Sequence, residues 1–383
     1  MNTEILSANI KRYRSQKKLT QQELSERSGV SLPTIKNLER SIGVPRTNTL
    51  LALTRVLDCT LQELVKPIGE LSSVRFRAES KLNRREQILA EVFTWLKNYA
   101  FVETLLADKK AWILSELAMA RNLLTPIRYA QEARKTLGLQ NDEPIHDICG
   151  LLEACGIKIL GLSYASDAFN GLSVGPNDSG PAIVINTWPR ISIEKQVFST
   201  AHELGHLLMH QGDYHRDTHT EEPSCEKEAD EFASYFLLPE QGFKREWDET
   251  AGLSFVDRVM KVKRIYHVSY KTVLYRLNQK GVADDSIWMH FQQRYEALYN
   301  RKLSFKEELV EERTEPFGLK SFDFHADRLS RLVRQAVEEE KISLSRAAEI
   351  LHISTQHMME RVVEWEEFSS WSPPTDCRCL CLD

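Results

Sequence analysis

Residues 202–206 read His-Glu-Leu-Gly-His, and no other feature limits the chain's fold as tightly. On an α-helix, side chains at i and i+4 share one face, so His202 and His206 can turn both imidazoles toward a single Zn²⁺. Glu203 stands beside them, placed to take a proton from a water held there. Val197 to Ala201 before the motif, and Leu207, Leu208 and Met209 after it, predict a helix that is apolar nearly all round and therefore buried. Two buried histidines with nothing to bind would be costly.

A catalytic zinc takes three protein ligands and keeps one position open. The segment from Glu226 onward predicts a second helix, with Ala229, Phe232, Ala233, Phe236 and Leu237 as its apolar face and Pro239 as its stop. Glu226 falls on or near that face, whereas Glu228 projects to the opposite edge with Glu231. Glu226 is thus the expected third ligand. Asp230, one turn later, is placed to accept the outer N–H of a ligand histidine. His210 continues the i+4 series, but a fourth ligand would close the site, so it is expected beside the ligands or in the core. Tyr214, Tyr235, Tyr266 and His267 are candidate oxyanion donors among which the sequence does not choose. His215 and His219 fall in a polar loop, and Cys225 is expected to pack.

The first 66 residues have a different character. They hold 11 Lys and Arg against 6 Asp and Glu, while the remainder holds 39 against 49. A basic head on an acidic body points to a polyanionic partner. Thr20 opens a helix with a capping box to Glu23, Gly29 ends it, and Ser31 caps the next helix, which carries Pro33 in its first turn. This is helix-turn-helix spacing. Val30, Ile35 and Leu38 are the expected anchors. Ser31, Leu32, Thr34, Lys36, Asn37 and Arg40 then face outward, and Gln21 and Gln22 can reach phosphates or base edges.

Between these regions the chain reads as charged helices from about 70 to 137. Short strands follow at 157–163, 171–174 and 182–186, separated by turn residues. Helices resume after Ile193 and continue to about 365. No apolar run is long enough for a membrane span, and the N-terminus lacks a signal-peptide pattern, so a cytoplasmic protein with no membrane partner is expected. The seven Cys are sparse and irregular, which fits a reducing compartment. Three of them, Cys377, Cys379 and Cys381, lie in a tail expected to be loosely ordered.

QVFSTAHELGHLLMH followed by EKEADEFASYFLLP resembles the ImmA/IrrE family of metallo-endopeptidases over roughly residues 120–280, and the strands before it match that family's small sheet. LTQQELSERSGVSLPTIKNLER resembles the Xre/Cro-type DNA-binding domains over residues 5–66. The first resemblance implies a zincin-like fold, peptide hydrolysis, His202, His206 and Glu226 as zinc ligands and Glu203 as the catalytic base. Glu194-Lys195-Gln196 stands where that family often has an Arg. The expected fold class is mainly α with a small β-sheet (α+β): an all-α head (1–67), a helical linker (68–115), a zincin-like domain (116–285) and a helical C-terminal region (286–383). The expected function is that of a DNA-binding regulatory zinc endopeptidase. Its partners would be double-stranded DNA through residues 1–67 and a protein substrate of the helix-turn-helix repressor kind. The alternative is a non-catalytic regulator or antitoxin-like protein using the zinc fold as sensor or scaffold. Repressor-like heads often dimerise, and the sequence leaves a homodimer open.

Overall fold

The computed structural model describes residues 3–17, 19–65, 71, 73–78, 85–120, 124–166, 169–214, 223–281, 286–303 and 316–369. The chain divides into two compact units, Met1–Glu70 with Asn83–Thr94, and Leu71–Leu82 with Trp95–Asp383. Loop residues His215 and His219 and the tail cysteines Cys377, Cys379 and Cys381 lie outside the described residues.

The first unit contains α1 (Thr3–Gln16), α2 (Gln21–Ser28), α3 (Leu32–Glu39), α4 (Thr47–Leu57) and α5 (Leu61–Val65). Local chemistry sets the α2–α3 turn. Thr20 and Glu23 form both bonds of the capping box, Gly29 takes the left-handed conformation at φ +68, and the Ser31 side chain caps α3. Leu6, Ile10, Leu24, Ile35, Leu38 and Leu53 close the core, with Val30 half-buried at its edge. Glu39 is buried inside this unit and is held by Arg14 at 2.6 and 3.0 Å.

The second unit is built on a four-stranded sheet in the order β1-β3-β4-β2, with β1 (Val74–Ala78), β2 (Lys158–Leu162), β3 (Phe169–Val174) and β4 (Ala182–Asn186). β2 and β4 are parallel, and β3 runs antiparallel to both β4 and β1. Every residue of β3 and β4 is buried. The helices that follow β1 are α6 (Arg85–Leu106, of which this unit holds the part from Trp95), α7 (Ser115–Met119), α8 (Pro126–Thr136), α9 (Ile148–Ala154), α10 (Ile193–Met209), α11 (Pro223–Leu237), α12 (Glu240–Glu249), α13 (Phe255–Tyr266), α14 (Tyr270–Gln279), α15 (Ile287–Tyr299), α16 (Arg328–Glu338), α17 (Leu344–Ile350) and α18 (Thr355–Ser369), and α10 packs on β3 and β4. The protein is thus mainly α with one small sheet. Among the described residues, no helix is long and apolar enough to cross a membrane.

The segment 68–115, read from sequence as a helical link, differs. It supplies β1, whose Val74, Arg75 and Phe76 pair with Val174, Ser173 and Leu172. Val-Arg-Phe-Arg alternates for only four residues amid helix-forming charged sequence, so its period is too short to stand out. Pairing with β3, about 100 residues away, makes it a strand.

Charged residues tie the C-terminal helices to the sheet. Glu103 on α6 meets Lys158 of β2 at 3.1 Å and Arg328 of α16 at 2.6 Å, with all three side chains almost fully buried. Buried charges of this kind persist only when paired. Glu194, in the first turn of α10, is likewise buried against Lys263 at 2.6 Å and accepts from the Leu319 amide. It therefore serves packing.

Candidate metal centre

α10 begins at a Ser192 N-cap and is buried along most of its length, as its composition requires. His202, Glu203 and His206 are each no more than 2% exposed. Gly205 lets α11 approach this helix: a Cβ there would lie 3.0 Å from the Phe232 ring and 3.4 Å from the Ala229 Cα. That crossing carries Glu226 to the histidines. Its Oε2 is 3.3 Å from His202 Nε2, its Oε1 is 3.2 Å from His206 Nε2, and the two ring nitrogens are 2.9 Å apart. One ligand atom from each of the three residues falls within 4.8 Å of the others, a group that can hold a metal ion.

The outer bonds of the rings fix which nitrogen of each ring turns its lone pair inward. His202 Nδ1 lies 2.7 Å from Asp230 Oδ1, a pure acceptor, so Nδ1 carries the proton and Nε2 the lone pair. On the other ring, His210 Nε2 lies 2.9 Å from Glu228 Oε2 and so donates to it. His210 Nδ1 can then accept from His206 Nδ1 at 2.8 Å, which leaves the His206 Nε2 lone pair facing inward. Burial drives the His206 imidazole well below its usual range, keeping it neutral. Two lone pairs and a carboxylate aimed at one point repel each other unless a cation lies between them, so the donor set fits a metal such as zinc.

Glu203 is held separately. Its Oε2 accepts from Ser173 Oγ at 2.7 Å, and Ser173 Oγ in turn accepts from the Tyr214 hydroxyl at 2.8 Å. Arg75 of β1 donates from Nη2 to Glu226 Oε1 at 2.9 Å.

The structure brings His202, His206, Glu226, Asp230 and His210 together, with His210 behind His206. Glu228 differs from expectation: it lies on the edge of α11 but reaches His210, because α10 extends one turn past His206. Of the four oxyanion candidates, Tyr214 approaches the site. Tyr266 donates to the Asp142 carbonyl at 3.1 Å, the Tyr235 ring lies under Arg276, and His267 contacts His146 at 3.2 Å. Sequence reasoning missed Ser173 and Arg75. The only local signal for them was a pair of short alternating strands.

In the first unit, Ser31, Lys36, Asn37 and Arg40 are exposed on or beside α3, and Thr34 is half-buried. Gln22 is exposed and bonds Glu26 at 2.8 Å. Gln21 instead turns to Glu39 at 2.7 Å.

Residues 153–278 match the IrrE N-terminal-like domain, and residues 10–64 match the helix-turn-helix family. The chain belongs to the helix-turn-helix family and carries an IrrE/ImmA-like peptidase domain C-terminal to that module. It is also similar to an uncharacterized HTH-type transcriptional regulator, YqaE, of Bacillus subtilis (strain 168), at 36% identity over 88 residues, which is 22% of this chain and 74% of the relative. The helix-turn-helix module supports DNA binding, and the His202, His206 and Glu226 group supports a metal-dependent peptidase role.

Proposed function

We propose that this protein is a cytoplasmic regulatory zinc metallo-endopeptidase of the ImmA/IrrE type, directed by a DNA-binding head. The observation that carries the reading is the convergence of His202, His206 and Glu226 beside a separately held Glu203. A bound Zn²⁺ would polarise the scissile carbonyl and acidify the attacking water. Glu203, oriented by Ser173, takes the proton of that water and passes it to the leaving amine. Asp230 keeps the His202 ring in its ligand tautomer, and the Glu228–His210 pair does the same for His206. The domains we propose are a head at 1–67, a peptidase domain at 116–285 and a helical region at 286–383, with the 68–115 segment lending β1 to the peptidase sheet.

The head is the DNA reader, with Ser31, Thr34, Lys36, Asn37 and Arg40 as the surface and Gln22 beside it. Similarity to a Bacillus transcriptional regulator supports a transcriptional setting. The substrate is a protein, of the repressor class that shares this helix-turn-helix type. Tethering a protease to a DNA reader raises its effective concentration near proteins on the same operator. The test combines zinc content with cleavage. Purified wild type should hold about one zinc per chain and cut a repressor-type partner, and Glu203→Gln should slow cutting by about 10²–10⁴-fold. A zinc-loaded wild type whose partner stays intact, and whose regulatory output is unchanged by Glu203→Gln, would favour the non-catalytic regulator.

A further inference from the structure

Arg75 lies outside the stretch that matches the IrrE N-terminal-like domain, yet its guanidinium sits in the metal centre. The register explains how it gets there. Arg75 pairs across the strands with Ser173, and each member of that pair holds one of the site's carboxylates: Ser173 bonds Glu203 and Arg75 bonds Glu226. A slip of one residue would turn Arg75 to the opposite face of the sheet. The register is pinned beside the pair. Gly175 donates to the Ser73 carbonyl at 2.8 Å, the Ser73 amide donates to Asp178 at 2.6 Å, and a Cβ on Gly175 would collide with Ser73.

We infer that Arg75 is a positioning residue of the metal centre, supplied by the segment that joins the helix-turn-helix head to the peptidase domain, and that it orients Glu226 for metal binding. The inference rests on the reading of His202, His206 and Glu226 as ligands. Two effects of Arg75 oppose each other. Its positive charge repels an incoming cation, which weakens metal binding. Its charge-assisted bond at 2.9 Å fixes the rotamer of a flexible carboxylate and keeps Oε2 aimed toward His202, which strengthens it. The Arg75 side chain is only 10% exposed and the glutamate 16%, so the bond is little screened and little exchanged with water. The Glu226 and Glu203 charges around the guanidinium offset its own, which blunts the repulsion. Orientation therefore wins. The consequence is that metal affinity depends on β1 staying paired with β3.

The test uses the full chain as wild type, Arg75→Ala, Arg75→Lys and Arg75→Gln. Zinc affinity is measured by chelator competition, and the thermal midpoint is recorded with and without zinc. Arg75→Ala should weaken zinc binding by about 10–100-fold, the usual effect of losing a partner to a ligand. It should also shrink the zinc-induced rise in midpoint more than it changes the zinc-free midpoint. Arg75→Lys should recover part of the affinity, since it keeps a donor but not the fork. If Arg75→Ala does not fold, Arg75→Gln is read by the same criterion. Equal or tighter zinc binding by the folded variant, or an equal loss of midpoint with and without zinc, would overturn the inference while leaving the metal centre intact. A wild type that binds no zinc would instead remove the metal-centre reading and the inference with it.

Discussion

The carboxylate of Asp230 lies 2.7 Å from Nδ1 of His202, four residues along α11 from the Glu226 that faces Nε2 of the same ring. One helix thus presents two acids to the two sides of one imidazole. Asp230→Ala should weaken zinc binding by roughly 10-fold, the lower end of the range for such partners because Asp230 is 46% exposed. Glu228→Ala should cost less, since it acts through His210. Chelator competition on both variants checks the order, and a larger loss for Glu228→Ala would reverse the assignment of the two acids.

Glu203→Gln should keep zinc and melting behaviour while lowering peptide cleavage by about 10²–10⁴-fold, the span expected for loss of a general base. Ser173→Ala should lower cleavage less, because the carboxylate survives and only its orientation is released. Wild-type cleavage by Glu203→Gln would remove the base assignment.

Gly205→Ala should destabilise the protein by about 1–3 kcal/mol, the usual cost of overpacking, because its Cβ would meet the Phe232 ring at 3.0 Å. The same change wedges α10 from α11, so zinc affinity should fall alongside stability. Denaturant melts and zinc titration on one preparation read both, and an unchanged melt would show that Phe232 yields freely.

Burial pushes the Glu153 carboxyl up to about 7 from its ordinary 4.5, despite amide bonds from Asp327 and Arg328. Between those two values the folded state keeps a proton that the unfolded chain has released. Its contribution to stability is therefore full below about pH 4.5 and is lost as pH rises through about 7. Glu153→Gln should remove this decline, so its denaturation midpoint should gain on wild type between about pH 5 and pH 8. A difference that stays constant across that range would contradict the shift.

On the head, Lys36→Ala and Arg40→Ala should weaken DNA binding for all sequences and flatten its salt dependence, by about one unit of slope for each phosphate no longer neutralised. Asn37→Ala should instead relax base preference if it reads an adenine edge. Binding isotherms at several salt concentrations separate the two effects, and unchanged affinity in all three variants would move the DNA surface off α3.

The sequence by itself determined what helical spacing can encode. His202 and His206 share a face because they are four residues apart. Glu226 and Asp230 share one for the same reason, and Thr20 with Glu23 closes a cap within a single turn. These relations are local, so a window of a few residues contains them whatever the rest of the chain does. Only the tertiary structure decided the partners that arrive from elsewhere. Glu228 was legible as an edge residue, but its bond to His210 depends on how α11 crosses α10 at Gly205. Ser173 and Arg75 sit in strands too short to declare their register, and that register alone sets the face on which a strand residue lies. Pairing between segments about 100 residues apart is fixed by the packed sheet, and no local pattern in either segment specifies it.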